Sequence, residues 1–174
     1  MHSTVPGFST NTSREEVFVA MADYIKGMGF TAVKNDSTRP WGGFFVIDEH
    51  QAEQFIACYF PHLTLSEVSL SGKLSPKFLL VAPQTRLSWQ YHHRRAEIWK
   101  LIGGTAGVIT SDTDKEGDLK KLSVGDLVQL RHGERHRLIG LEGWGVVAEI
   151  WQHTDASHPS DEDDIVRVQD DFGR

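Results

Sequence analysis

From residue 13 the apolar positions fall at helical spacing, with Val17, Met21, Tyr24 and Met28 recurring every three or four residues. Ser13-Arg14-Glu15-Glu16 has the form of a capping box, a hydroxyl acceptor three residues ahead of a glutamate that can reach back. Gly27 and Gly29 supply the stop. The pattern predicts an amphipathic helix of about four turns, its apolar stripe covering one face of a larger sheet. Residues 1–12, rich in Ser, Thr and Gly without periodicity, read as a loose arm.

Beyond the turn at 39–43 the period shortens. A short apolar strand is expected over 44–47, and a second helix over 50–59, ended by Pro61. From residue 63 onward short β-rich runs follow one another at 77–82, 87–92, 98–102, 107–110, 126–130, 135–139 and 146–151. Gly, Pro, Asp and Ser punctuate them at close intervals, and the acids around Gly117 mark a solvated hairpin tip. The expected architecture is mainly β, a small antiparallel sandwich or barrel with one or two helices outside it at the N-terminus.

Composition narrows the class. At 174 residues, 39% hydrophobic and 24% charged, the chain suits one domain with its own core. The single cysteine, Cys58, allows no internal disulfide or Cys-rich zinc site and reads as a small buried hydrophobe. No apolar run nears the roughly 18 residues of a membrane span and no signal peptide opens the chain, so no membrane partner and a cytoplasmic location are expected. The net charge of −6 argues against nucleic acid. Residues 155–174 hold seven acids against Arg167 and Arg174, so an acidic tail carries −5 and the remainder −1. Two basic clusters, 92–95 and 131–137, bring in Arg94, Arg95, Arg131, Arg135 and Arg137, which predicts a field that draws an anion to a nearby pocket.

Those clusters also hold the candidate chemistry. On a strand, Gln90 and His92 share a face. Glu97 begins the next strand across a short turn and can return to that face, and His136 follows the turn at 132–134. Two imidazoles, a carboxylate and an amide oxygen suit a divalent metal of intermediate hardness, with positions left for water or substrate. Taken alone, the same residues also fit a solvated basic loop. Glu149 shares its strand face with Val147 and Trp151. A carboxylate there is costly unless paired, which marks it as a candidate base or as half of a structural ion pair. Trp89, Tyr91 and Trp99 read as core ahead of a sugar-stacking platform.

At these residues the chain resembles the cupin superfamily, whose motifs are G-x5-HxH-x4-E-x6-G and G-x5-PxG-x2-H-x3-N. The first is matched by Gln84, Gln90, His92, Glu97 and Gly104, the second by Gly125, Arg131, Gly133, His136 and Gly140, with every spacing kept. Gln84, Arg131 and Gly140 depart at turn-shaping positions. Gln90 in place of a histidine is similar to the phosphomannose isomerase branch. Three further stretches resemble the isomerase domain of bacterial bifunctional mannose-6-phosphate isomerase/mannose-1-phosphate guanylyltransferases: Arg39-Pro40-Trp41-Gly42, the run from Gln90 to Trp99, and the terminal run from Glu162 to Arg174. Arg94 departs from that family's third histidine. The nucleotidyl-transferring half has no counterpart in the chain.

The resemblance implies a cupin jelly-roll barrel (a double-stranded β-helix) with an N-terminal α-helical extension. Residues 1–38 would be an arm and helix packed on the barrel, and 39–174 the cupin domain with its acidic tail. It implies a divalent metal at Gln90, His92, Glu97 and His136, zinc ahead of Mn, Fe, Co or Ni. It also implies a sugar-phosphate aldose–ketose isomerase similar to mannose-6-phosphate isomerase. Glu149 would be the catalytic base, Arg95 would stabilise the enediolate, and Arg167 would bind phosphate or a developing oxyanion, with Lys77 a further substrate-binding candidate. The expected partner is a small sugar or sugar phosphate, and edge pairing common among cupins predicts a homodimer. An isomerase or epimerase of a free sugar and a non-catalytic sugar-binding cupin would keep the same motif. Iron-dependent dioxygenation fits Gln90 less well.

Overall fold

A computed structural model describes residues 4–174, so the first three residues of the expected arm lie outside the described residues. Helix α1 (Arg14–Gly27) begins as predicted: Ser13 Oγ accepts from the Glu16 amide, and Glu16 Oε2 accepts from the Ser13 amide at 2.8 Å. Strands β1 (Ala32–Asp36) and β2 (Gly42–Ile47) follow, then a 3-10 turn Glu49–Gln51, helix α2 (Ala52–Tyr59) and a single helical turn, α3 (Leu65–Val68). The rest is strand: β3 (Lys77–Val81), β4 (Trp89–Tyr91), β5 (Arg95–Ser111), β6 (Lys120–Leu122), β7 (Leu127–Leu130), β8 (Arg135–His153) and β9 (Val166–Gln169).

All pairings are antiparallel. One path runs β1-β2-β3-β8-β4-β9, while β5 lies along β8 from Arg95↔His153 to Ser111↔Arg135 and carries β6 and β7 on its other side. This is the expected cupin barrel, mainly β with its N-terminal helix.

Alternation sorts the side chains into two cores. Phe78 and Leu80 on β3, Ile98 on β5 and Val146, Ala148 and Ile150 on β8 face outward, against Val17, Met21 and Tyr24 of α1 and Phe55 and Tyr59 of α2. The two helices are tied to each other by the Tyr24 and Tyr59 hydroxyls at 2.9 Å. Leu79, Val81, Trp99, Leu101 and Val147 take the opposite parity and fill the barrel with Leu130 and Leu138. Lys77, Glu97, Glu149 and Trp151 share the parity of that inner set, which is how polar groups come to sit inside an apolar barrel.

Several expectations need correction. The runs 98–102 and 107–110 belong to one strand, as do 135–139 and 146–151. Their glycines bend strands that continue through them. Gly104 has φ +69°, and a Cβ there would lie 1.8 Å from the Trp144 carbonyl oxygen, while a Cβ on Gly140 would lie 1.9 Å from that of Ala82. Gln84, where the motif has glycine, adopts φ +56° itself. Strands β1, β6 and β9 lacked a readable period. The arm is seated from Val5: Val5 and Phe8 pack on the outer core, and the Trp144 indole donates to the Thr12 carbonyl at 3.1 Å. Cys58 is exposed. The acidic tail is a docked segment, because β9 pairs with β4 and sets Arg167 opposite Gln90.

Candidate metal centre and pocket

Three buried side chains converge inside the barrel near its mouth. His92 comes from the end of β4, Glu97 from β5 and His136 from β8, and their ligating atoms lie within 4.8 Å of one another. His92 Nε2 is 3.3 Å from His136 Nε2 and 3.1 Å from Glu97 Oε1, and Glu97 Oε2 is 3.5 Å from His136 Nε2.

The ring tautomers follow from the partners. His92 Nδ1 donates to the Asp164 carbonyl at 2.7 Å and His136 Nδ1 to the Glu134 carbonyl at 3.0 Å, so Nε2 is the atom of each ring that offers a lone pair whenever the ring is neutral. Burial lowers His136 to about 4, so its ring is neutral near pH 7. Burial works to raise Glu97, but His92 and Arg95 outweigh it and hold the carboxyl well below its ordinary range. Both Nε2 atoms and the Glu97 carboxylate face one another, with the Arg95 guanidinium against Glu97 Oε1 and His92 Nε2 on one side. That donor set fits a divalent ion, and orienting carbonyls behind both imidazoles are what metal-bound histidines carry.

Gln90 sits beside them, with its side-chain nitrogen 3.5 Å from His92 Nε2 and its oxygen accepting from Ser88. Rotating the amide by half a turn brings the oxygen to the cluster and leaves Ser88 Oγ as an acceptor, so Gln90 can serve as a fourth donor.

Beside the cluster, with Gln90 and Glu97 in its wall, opens a cavity of about 360 Å³. Glu149 lies within it, Oε1 accepting from the Trp99 indole at 3.0 Å, and the same indole nitrogen is 3.0 Å from Glu97 Oε2. Burial and the neighbouring Glu97 push Glu149 up to about 8. Arg95 is buried and fully engaged: Nε donates to Glu97 at 2.7 Å, Nη1 to Ser160 at 2.8 Å, and Nη2 lies 3.2 Å from His92 Nε2. Its guanidinium lies 3.6 Å from the Trp151 ring centroid. Lys77 reaches the cavity, but its ammonium is taken by Glu162 and stacks on Trp151 at 3.6 Å. Arg167 is at the mouth, where no side-chain hydrogen bond or ion pair engages it among the described residues.

The structure thus brings all eight predicted site residues to one centre and its cavity. The expected steering field is corrected. Arg131 pairs with Asp112, Arg135 with Asp114 and Arg137 with Glu116, and none of these arginines lines the cavity. Arg94 turns to Asp161. The cations that do line it are Arg39, Lys77, Arg95, Arg167 and Arg174. Sequence reasoning assigned no role to Arg39, Arg174, Glu162 or Asp164, though all stood in the matched runs. Their signal was a charged residue inside a recognisable motif with no task attached.

The model of the family described as Mannose-6-phosphate isomerase C-terminal matches residues 48–170. The chain is 29% identical over 126 residues to a mannose-1-phosphate guanylyltransferase of Escherichia coli K12, covering 72% of this chain and 24% of that protein. It is 32% identical over 116 residues to the alginate biosynthesis protein AlgA of Pseudomonas aeruginosa, covering 67% and 22%. The chain therefore spans about a quarter of the length of these relatives. Among solved structures, oxalate decarboxylase OxdC of Bacillus subtilis superposes with a TM-score of 0.54 at 15% identity, over 79% of this chain and 32% of that one, a likeness of fold. With the match to the family model running through both motif strands and the docked C-terminal segment, the chain belongs to the mannose-6-phosphate isomerase C-terminal family of cupin-like domains.

Proposed function

We propose that this chain is a metal-dependent aldose–ketose isomerase of a sugar phosphate, with mannose 6-phosphate as the favoured substrate. The observation that carries the reading is a buried carboxyl, Glu149, in the cavity beside a His-Glu-His cluster that could hold a metal ion, the indole of Trp99 spanning both carboxylates. Moving a proton between adjacent carbons needs a base near the carbons and positive charge near the oxygens. A divalent ion held by Gln90, His92, Glu97 and His136 supplies that positive charge, with zinc suited to the donor set and Mn, Fe, Co or Ni compatible with it.

The chain's own residues supply the rest. In its ionised form Glu149 takes the proton from C2 of the aldose and returns it to C1, while the proton of the O2 hydroxyl passes to O1, so the ketose forms with no net gain or loss of protons. Trp99 fixes the lone pairs of Glu149 and Glu97. Arg95 holds Glu97 in place and adds positive charge beside the centre. Arg167 receives the phosphate, and Lys77, neutralised by Glu162, forms the adjoining wall. A free-sugar isomerase would use the same centre, but an unpaired arginine at the mouth favours a charged substrate.

The test is an isomerase assay of the full chain loaded with each metal, across mannose 6-phosphate, other sugar phosphates and free sugars. Turnover of a phosphorylated aldose is expected. Turnover of free mannose alone, or none with any metal, overturns the reading. His92→Ala and His136→Ala are each expected to lose bound metal by elemental analysis, and full occupancy in both would remove the ligand assignment.

A further inference from the structure

The cations of the cavity differ in what they have left to give. Lys77 is closed by Glu162, and Arg95 by Glu97, Ser160 and the Asp161 carbonyl. Arg39 forms an ion pair with Asp36, its Nε 3.0 Å from Oδ2 without a hydrogen bond, and Arg174 uses Nε and Nη2 on Asp170 at 2.9 and 3.0 Å. A guanidinium carries five N–H donors, so both keep donors for a ligand. Among the described residues no side-chain hydrogen bond or ion pair takes any donor of Arg167. Its strand β9 pairs with β4 so that Arg167 stands directly opposite Gln90, which puts its side chain one cross-strand step from the ligand cluster.

We infer that Arg167, flanked by Arg39 and Arg174, forms the phosphate-binding subsite, and that Lys77 does not contribute to it. This rests on the reading of the cavity as a sugar-phosphate site. Three like charges gathered at one mouth repel each other. Burial, then Arg174 and to a smaller degree Arg39, lower the affinity of Arg167 for its own proton, against Asp170, which raises it. A dianion relieves that repulsion, and the planar fork of Arg167 can take two of its oxygens while the flanking guanidinia take the third. The C-terminal segment is then part of the substrate site, because it supplies two of the three arginines. Asp163, also at the mouth, opposes the anion and weakens the site.

The full chain, free of metal, is titrated with inorganic phosphate by calorimetry at low ionic strength. Arg167→Gln is expected to weaken binding about tenfold or more, with Arg167→Lys between it and the parent. Asp163→Asn is expected to tighten binding. Arg86→Gln is the control, since Arg86 holds Asp171 of the same segment at 2.6 and 2.8 Å without lining the cavity. It should change phosphate affinity by no more than about twofold. Unchanged affinity in Arg167→Gln overturns the proposal, and so does an equal loss in Arg86→Gln, which would assign the effect to docking of the segment. Phosphate binding that depends on Arg167, in a chain without isomerase activity, upholds the subsite and removes the isomerase reading. Isomerase activity whose KM for the sugar phosphate is unmoved in Arg167→Gln does the reverse.

Discussion

Asp164 shows how one side chain can hold a centre it does not enter. Its carboxylate accepts from the amides of His93 and Arg94 at 2.9 and 3.0 Å and from Ser160 Oγ at 2.6 Å. Its carbonyl accepts from His92 Nδ1. Burial raises the carboxyl, but the bonds from Ser160, His93 and Arg94 outweigh that and hold it at about 2, ionised at any working pH. Asp164→Ala leaves two partly buried amides without acceptors, for which a loss of about 2–4 kcal/mol is expected by chemical denaturation. Asp164→Asn keeps one acceptor oxygen and should lose less. In both, the docked segment loosens behind His92, and a fall in metal affinity of about tenfold or more is expected by titration. Unchanged metal affinity in Asp164→Ala would show that the Asp164 carbonyl alone fixes the imidazole.

At the scale of elements, helical period and apolar runs were what the chain made legible. Helix α1 carries enough repeats for helical spacing to show, with the capping box marking its start, while β3 and β7 show as short β-rich runs between turn residues. The two long strands were broken at their glycines, because a sequence does not say whether a glycine ends a strand or bends it. Close approach of Trp144 and Ala82 carbonyls decides for a bend, and those contacts are non-local. Strand β9, four residues long between acids, carries no period, and only its pairing with β4 makes it a strand. The metal-ligand set was legible because fixed spacing on adjoining strands brings it together. The pairing state of each arginine was not, since it depends on the loop 112–116 folding back over the second motif. The division of each strand into an outer and an inner face is testable. Phe78, packed against Tyr24, Phe30, Phe55 and Tyr59, faces away from the centre. Phe78→Ala should therefore cost about 3–5 kcal/mol of stability. Metal affinity, measured well below the denaturation midpoint, should be unchanged, and a matching loss of affinity would mean that the two cores are coupled.

For the molecule as a whole, the −6 charge is organised as clasps. Acids of the last twenty residues reach back to the barrel: Asp161 to Arg94, Glu162 to Lys77 and Asp171 to Arg86. One hinge of that segment responds to pH. His153, buried at the end of β8, accepts from the Ser160 amide through Nδ1 at 2.9 Å, and its Nε2 meets Ser75 Oγ at 3.1 Å. Burial first, and then the charges of Lys73, Arg95 and Lys77 against that of Asp164, lower it to about 4. The unfolded chain binds this proton near pH 6.5, so between about 6.5 and 4 the unfolded state holds more protons and stability rises with pH. Acidification from pH 7.5 to 5 is therefore expected to remove roughly 1–2 kcal/mol through this residue. Protonating Nδ1 also breaks the bond from Ser160, which itself holds Arg95 and Asp164. His153→Asn keeps an acceptor for Ser160 and a donor for Ser75 without titrating. It should be somewhat less stable at pH 7.5 and show a shallower decline toward pH 5, as read from urea denaturation at both values. Parallel declines in the two proteins would place the acid sensitivity elsewhere.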